Sequence, residues 1–215
     1  MKIILTWTSL VMAMLFFLVA CNSQYTTKKP GYFKIDFPER SYVKFEKEGF
    51  PYSFEYPSYA KIVRDTAYFD STNYNPYWLN VDFPTFNGKI YLSYKVIGGS
   101  SVYKVKTPKG YRDSSAVNTF ENMVNDAYKL TYKNEIKANS IEDSLMQTPN
   151  NLHGIFFSLT GSVATSKQFY LTDTTRNFLR GALYFNATPN EDSLAPINMF
   201  LQEDMKHLIN TLKWR

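Results

Sequence analysis

Ile90, Leu92, Tyr94 and Val96 alternate with Tyr91, Ser93 and Lys95. This period of two predicts a strand over Lys89 to Ile97 with one face on a core. Trp78 to Phe83 is expected to pair with it, turning through Pro84-Thr85-Phe86-Asn87-Gly88. The whole stretch 30–97 reads as strand-rich, with Pro38, Pro51, Pro57 and Pro84 marking edges and no sustained helical period. Two segments read as long loops, Arg64 to Tyr77 and Gly98 to Asp113, the second containing Gly98-Gly99-Ser100-Ser101 and Pro108-Lys109-Gly110. Loops of that length in a compact domain are usually functional or disordered.

Val117, Phe120, Val124, Ala127 and Leu130 recur at spacings of three and four. They predict an amphipathic helix from an N-cap at Ser114 or Ser115 to about Asn134. Strands return at Gly154 to Ser162, Ser166 to Thr172 and Arg176 to Asn186, the last two joined by Asp173-Thr174-Thr175 as an antiparallel meander. A final helix is expected to start at Pro196 and to bury Ile197, Phe200, Leu201, Met205, Leu208 and Leu212. Lys213 and Arg215 suit its C-terminus, and Trp214 is expected to pack back onto the domain. Two blocks of strands, each followed by an amphipathic helix, indicate an α+β domain whose mostly antiparallel sheet is covered by two helices. That order is similar to the Mog1/PsbP-like architecture, an analogy of shape that implies no activity.

The N-terminus follows a different rule. Lys2 precedes an apolar run from Ile3 to Ala20 that ends in small residues, the composition of a secretory signal peptide. The run carries Thr6, Thr8 and Ser9 and falls short of the roughly 20 predominantly apolar residues of a permanent span. Leu18-Val19-Ala20-Cys21 resembles the lipobox of bacterial lipoproteins, which implies cleavage before Cys21 and a lipid on its sulfur. Two or three acyl chains hold a protein stably on a membrane where one does not. The expected organisation is therefore a signal peptide over 1–20, a polar lipidated tether over 21–30 and a single globular domain over 31–215. The tether lacks acidic residues, and bacterial sorting rules then favour the outer membrane, facing the periplasm.

Composition narrows the chemistry. Without the signal peptide, 23 basic residues face 19 acidic ones, a net charge of +4, with the charges interspersed. That pattern gives no basis for a nucleic-acid partner. Cys21 is the only cysteine, so once it is lipidated the exported domain depends on packing alone. The 17 Tyr, 17 Phe and 3 Trp suit half-buried sheets and protein interfaces alike. Tyr68, Phe69, Tyr74, Tyr77 and Trp78 form the candidate interaction loop. His153 and His207 stand far apart, there is no Gly-x-Ser-x-Gly elbow, and no metal or cofactor is expected. His153 reads as a polar strand-end residue, and His207 reads as part of a solvated helix face.

Ordered blocks then give a resemblance. Phe50-Pro51-Tyr52-Ser53-Phe54-Glu55-Tyr56-Pro57, Tyr77-Trp78-Leu79-Asn80-Val81-Asp82-Phe83-Pro84 and Lys89-Ile90-Tyr91-Leu92-Ser93-Tyr94 are followed by Ala127 to Tyr132, Gly161 to Asp173 and Leu183 to Asn190. Together they resemble the gliding-motility lipoprotein GldD family of Bacteroidota, over nearly the whole chain from about Pro30 to Arg215. The resemblance implies a non-enzymatic component of the gliding-motility and type IX secretion machinery, with other envelope proteins of that machinery as partners. It brings no catalytic residues. Phe50 and Tyr77 stand where relatives often carry cysteine, so a disulfide there is impossible in this chain. The Gly98 to Asp113 loop is long for the family, which puts partner contact through it in doubt. The competing readings are an envelope hydrolase centred on His153 with Ser158 or Ser162, and a small-ligand binder with an apolar pocket between sheet and helices.

Overall fold

The computed structural model describes residues 34–64 and 75–215. Its elements are β1 (Tyr42–Phe45), β2 (Tyr52–Pro57), β3 (Lys61–Arg64), β4 (Leu79–Phe83), β5 (Gly88–Val96), β6 (Ser100–Thr107), β7 (Gly110–Val117), α1 (Phe120–Tyr132), β8 (Ala138–Gln147), β9 (His153–Gly161), β10 (Lys167–Thr172), β11 (Asn177–Phe185), α2 (Glu191–Thr211) and β12 (Lys213–Trp214). Seven strands form one antiparallel sheet in the order β3-β4-β5-β11-β10-β9-β8. A smaller sheet has the order β1-β2-β12, and β6 pairs only with β7. The α+β class follows, with Asp36–Arg215 forming one compact unit.

Strand alternation decides what each face of the large sheet meets. Ile90, Leu92 and Tyr94 of β5 lie in register with Leu183, Gly181 and Leu179 of β11, and all are buried. This face looks toward the small sheet and α2. Tyr52 packs on Tyr94 with ring centroids 5.7 Å apart, and a Cβ placed on Gly88 would lie 3.6 Å from Leu201. The opposite face meets α1 over part of its width. Met123 and Ala127 pack with Ile155, Phe157, Leu159, Tyr170 and Phe178 in a second core.

The segment leading into β1 is fastened to α2 by one carboxylate. Asp204, with its side chain fully buried, accepts from Arg40 Nε at 3.2 Å, from Tyr42 Oη at 3.0 Å and from Tyr59 Oη. One helical turn earlier, Phe200 stacks on Phe37 at 4.4 Å, and the Arg40 guanidinium lies 4.3 Å above its ring. One turn later, His207 stacks on Tyr42 at 3.5 Å and meets Glu55 at 2.7 Å. Residues 200, 204 and 207 share a helix face, so α2 presents a single strip to this segment. His207 is therefore half-buried and partnered, which corrects the expectation of a solvated helix face.

Four other expectations change. Gly98 to Asp113 is largely a hairpin, β6–β7, turning through Thr107–Gly110 with Gly110 at φ 117°. Both of its faces are solvated, so no hydrophobic alternation marks it. Ser114 and Ser115 belong to β7, and α1 starts later, where Thr119 accepts from the Asn122 N–H. Val117, assigned to the helical stripe, is an exposed β7 residue. The last helix begins at Glu191 under an Asn190 cap, with Pro196 inside it. Glu191 and Asp192 suit its positive end. The buried stripe from Leu201 to Ile209 supports it against the proline. Finally, β8 was not foreseen, because an edge strand reading ANSIEDSLMQ lacks a hydrophobic period.

The meander and its Asp173 turn are as expected. Burial alone would raise the Asp173 pKa, but N–H groups of Asn177, Arg176 and Thr175 and the Asn177 amide hold it below the usual carboxylate range. Trp214 lies in β12 against β2, 6.2 Å from Tyr94.

Three outcomes test this packing. Asp204→Ala should lower the denaturant-derived stability by about 3 kcal/mol, because three donors lose their shared acceptor; a loss under about 1 kcal/mol would contradict the clamp. Gly154→Ala should cost about 3 kcal/mol, since the new Cβ would run into the Tyr170 carbonyl. Burial, and then the bond to Asp204, raise the Tyr42 pKa to about 12, while Tyr59 is raised in the same way. A raised pKa means that this stabilisation is intact below the ordinary tyrosine value of 10.0 and is lost as pH climbs through the folded value. Urea midpoints measured from pH 9 to 12 should fall above pH 10, and less steeply in Tyr42→Phe.

Candidate functional site

The second core does not reach across the whole sheet. α1 covers β8, β9, β10 and the Phe178 end of β11, and among the described residues it leaves the same face of β4, β5 and the rest of β11 open, forming a cleft of about 980 Å³. Cross-strand register builds its floor. Arg180 lies opposite Ser93, Ala182 opposite Tyr91, and Tyr184 opposite Lys89. Tyr91 and Tyr184 meet edge to face at 5.5 Å, and both stay partly exposed. Met123, Asp126, Ala127 and Leu130 of α1 form the facing wall.

α1 is held in place by polar bonds as well as by its core. Tyr128 Oη donates to Asp143 on β8 at 2.9 Å. Burial, and then this carboxylate, push the Tyr128 pKa up to about 12. Thr131, fully buried, donates to the Ala127 carbonyl at 2.9 Å and its hydroxyl lies 3.3 Å from Gln168 Oε1. Gln168 Oε1 also accepts from Arg180, while Gln168 Nε2 has no hydrogen-bond partner among the described residues. Burial lowers the Arg180 pKa, against a smaller opposing effect of Tyr184.

Cys21, Tyr68, Phe69 and Tyr74 lie outside the described residues. Tyr77 and Trp78 are half-buried at the entrance to β4. Trp78 Nε1 donates to the Tyr94 carbonyl at 3.0 Å, and Asn75 Nδ2 donates to the same oxygen at 2.9 Å. The Tyr77 ring packs edge to face on Phe50 at 5.7 Å and on Tyr94 at 5.8 Å. Phe50 and Tyr77 thus touch here as aromatic rings.

The hairpin β6–β7 is the most solvated part of the described fold. Tyr111 is 71% exposed, and Tyr103 and Val102 are also open. Asn118 pins its base, exchanging backbone bonds with Gly98 and Gly99 and accepting from Ser101 Oγ at 2.7 Å. No strand pairs with the outer edge of either β6 or β7 among the described residues.

The residues suggested for a hydrolase are not brought together. His153 and Ser158 both belong to β9, and their odd separation along the strand points them to opposite faces. Ser162 lies beyond the end of β9. Ser158 accepts from Lys167 Nζ at 2.6 Å. Burial, and then Lys206, lower the Lys167 pKa. Among the described residues no group of three or more His, Cys, Asp or Glu is placed to hold a metal, and no helix is long and apolar enough to cross a membrane.

Sequence reasoning missed Arg180. Its signal was available, because Asn177-Phe178-Leu179-Arg180-Gly181-Ala182-Leu183 carries one cation in an otherwise apolar strand.

No curated protein matches this chain. Among solved structures, the solution structure of cyanobacterial PsbP (CyanoP) from Synechocystis sp. PCC 6803 is similar at a TM-score of 0.43 and 9% identity, covering 88% of this chain and 99% of that one. Residues 22–214 match the family described as gliding motility lipoprotein GldD. That match spans every element of the described fold, and the chain belongs to the gliding motility lipoprotein GldD family.

Proposed function

We propose that this chain is a non-enzymatic interaction component of the gliding-motility and type IX secretion machinery, held by lipid on Cys21 at the periplasmic face of the outer membrane. The family match over residues 22–214 carries the reading. It makes the protein a membrane-anchored lipoprotein of the cell envelope, and the finer role rests on the chemistry of the chain. The lipobox ending in Cys21 supports lipid attachment, and the polar tether without acidic residues supports the outer membrane.

A contact role is supported by surface that suits protein partners. The solvated hairpin offers open strand edges, which readily accept another strand. Its tyrosines Tyr103 and Tyr111 present rings and hydroxyls together. The aromatic segment Tyr68, Phe69, Tyr74, Tyr77 and Trp78 is the proposed second contact region, with Tyr77 and Trp78 fixing its C-terminal end to β5. The partners are other envelope proteins of the same machinery. The hydrolase reading loses support from the opposed directions of His153 and Ser158.

Deletion of the chain should abolish spreading on agar and lower the amount of type IX cargo in the medium; normal movement and normal secretion would overturn the proposal. Complementation with Cys21→Ser should leave the protein out of the membrane fraction and fail to restore either phenotype. Complementation with His153→Ala should restore both, and failure to do so at normal protein levels would favour the enzyme.

A further inference from the structure

Arg180 is the most unusual charge in the described fold. It projects from a central strand onto the cleft floor, half-buried, and among the described residues its one hydrogen bond goes to the neutral Gln168 Oε1. A guanidinium has five N–H donors, and a buried one is costly unless an anion or several acceptors meet it. No carboxylate does so among the described residues. Asp82 pairs with Lys89 at 3.8 Å, and Asp126, on the exposed side of α1, forms no ion pair with Arg180. Lys95 lines the same floor, on β5 next but one to Ser93, the register partner of Arg180. Among the described residues the cleft thus holds two cations without an ion pair, Arg180 and Lys95, on one face and one such carboxylate, Asp126, across from them.

The rest of the lining is aromatic and aliphatic. Tyr91 and Tyr184 flank the floor, Leu130 and Met123 face it, and Ser93 adds a hydroxyl. A volume of about 980 Å³ lies within the range of small-molecule sites, which combine an apolar lining with a few placed polar groups. We propose that this cleft binds a small organic oxyanion, a carboxylate or phosphate carried on an aromatic body, with Arg180 holding the anion, Lys95 supporting it and Tyr91 and Tyr184 packing against the ring. A planar guanidinium matches either oxyanion through paired N–H bonds. The site stands on the opposite face of the sheet from the Asp204 clamp, so it is separate from the attachment of the leading segment to α2.

The test uses the full chain in lipid nanodiscs, with empty nanodiscs as the blank, and follows ¹⁹F NMR of three probes of matched shape. These are 4-(trifluoromethyl)benzoate, 4-(trifluoromethyl)phenyl phosphate and the neutral 4-(trifluoromethyl)benzamide. At least one anion should bind saturably, at least tenfold more tightly than the amide, and Arg180→Met should weaken it at least tenfold. Preference for the benzoate identifies an organic acid as the ligand, and preference for the phosphate identifies a phosphate ester. The amide comparison needs no variant, so it decides the matter even if Arg180→Met fails to fold. Equal binding of anion and amide, no saturable binding of either anion, or an unchanged affinity in a folded Arg180→Met would overturn the proposal.

Discussion

The attachment of the segment before β1 to the last helix depends on one buried carboxylate. Asp204 sits in the middle of α2 and gathers Arg40 and Tyr42 from the segment entering β1 and Tyr59 from the turn after β2. Burying an ion without partners would cost several kcal/mol, so the carboxylate is tolerated only because those donors surround it. The geometry is correspondingly specific. Phe200 and His207, one turn to either side, fix the same segment by stacking, and Thr211 of α2 accepts from the Glu55 N–H at 3.0 Å, carrying the contact onto β2. β12 follows α2 directly and completes the small sheet. The segment leading into β1 is thereby tied to the last helix by charge-assisted bonds as well as apolar contact.

The large sheet is used asymmetrically. One face is closed by the small sheet and α2, with Leu92, Tyr94, Leu179 and Leu183 almost fully buried. The other is half-covered, because α1 has only 13 residues and spends its apolar stripe on β9 and β10. A helix of that length spans about 20 Å, which is enough for a few strands and too little for seven. The uncovered remainder, with Arg180 at its border, is why this fold contains a cleft at all.

How much of this was legible in the sequence follows from burial. β5, β4 and the β9–β10–β11 meander are half-buried or central, and their alternation or apolar runs exposed them. The hairpin β6–β7 and the edge strand β8 are wetted on both sides or at one edge, so nothing in their side chains records the backbone pairing. Pro196 was misleading for a local reason. The rule that places proline in the first turn competes with an Asn190 cap that accepts from the Ser193 N–H at 3.0 Å, and the cap wins. The Asp204 clamp and the cross-strand partners of Arg180 were not readable because each set is assembled from residues far apart in the chain, although Arg180 itself stood out as the one cation of an apolar run. The ordered family blocks were readable because their meaning is linear.

The central claim is that this lipoprotein works by holding other envelope proteins. Its most direct test is chemical crosslinking in intact cells, followed by purification of the chain from membranes and identification of what is attached. The account predicts a reproducible set of motility and secretion envelope proteins, with crosslinked peptides mapping to the β6–β7 hairpin or to the aromatic segment before β4. Recovery of the uncrosslinked chain alone, under conditions in which known complexes of the same membrane are captured, would contradict it.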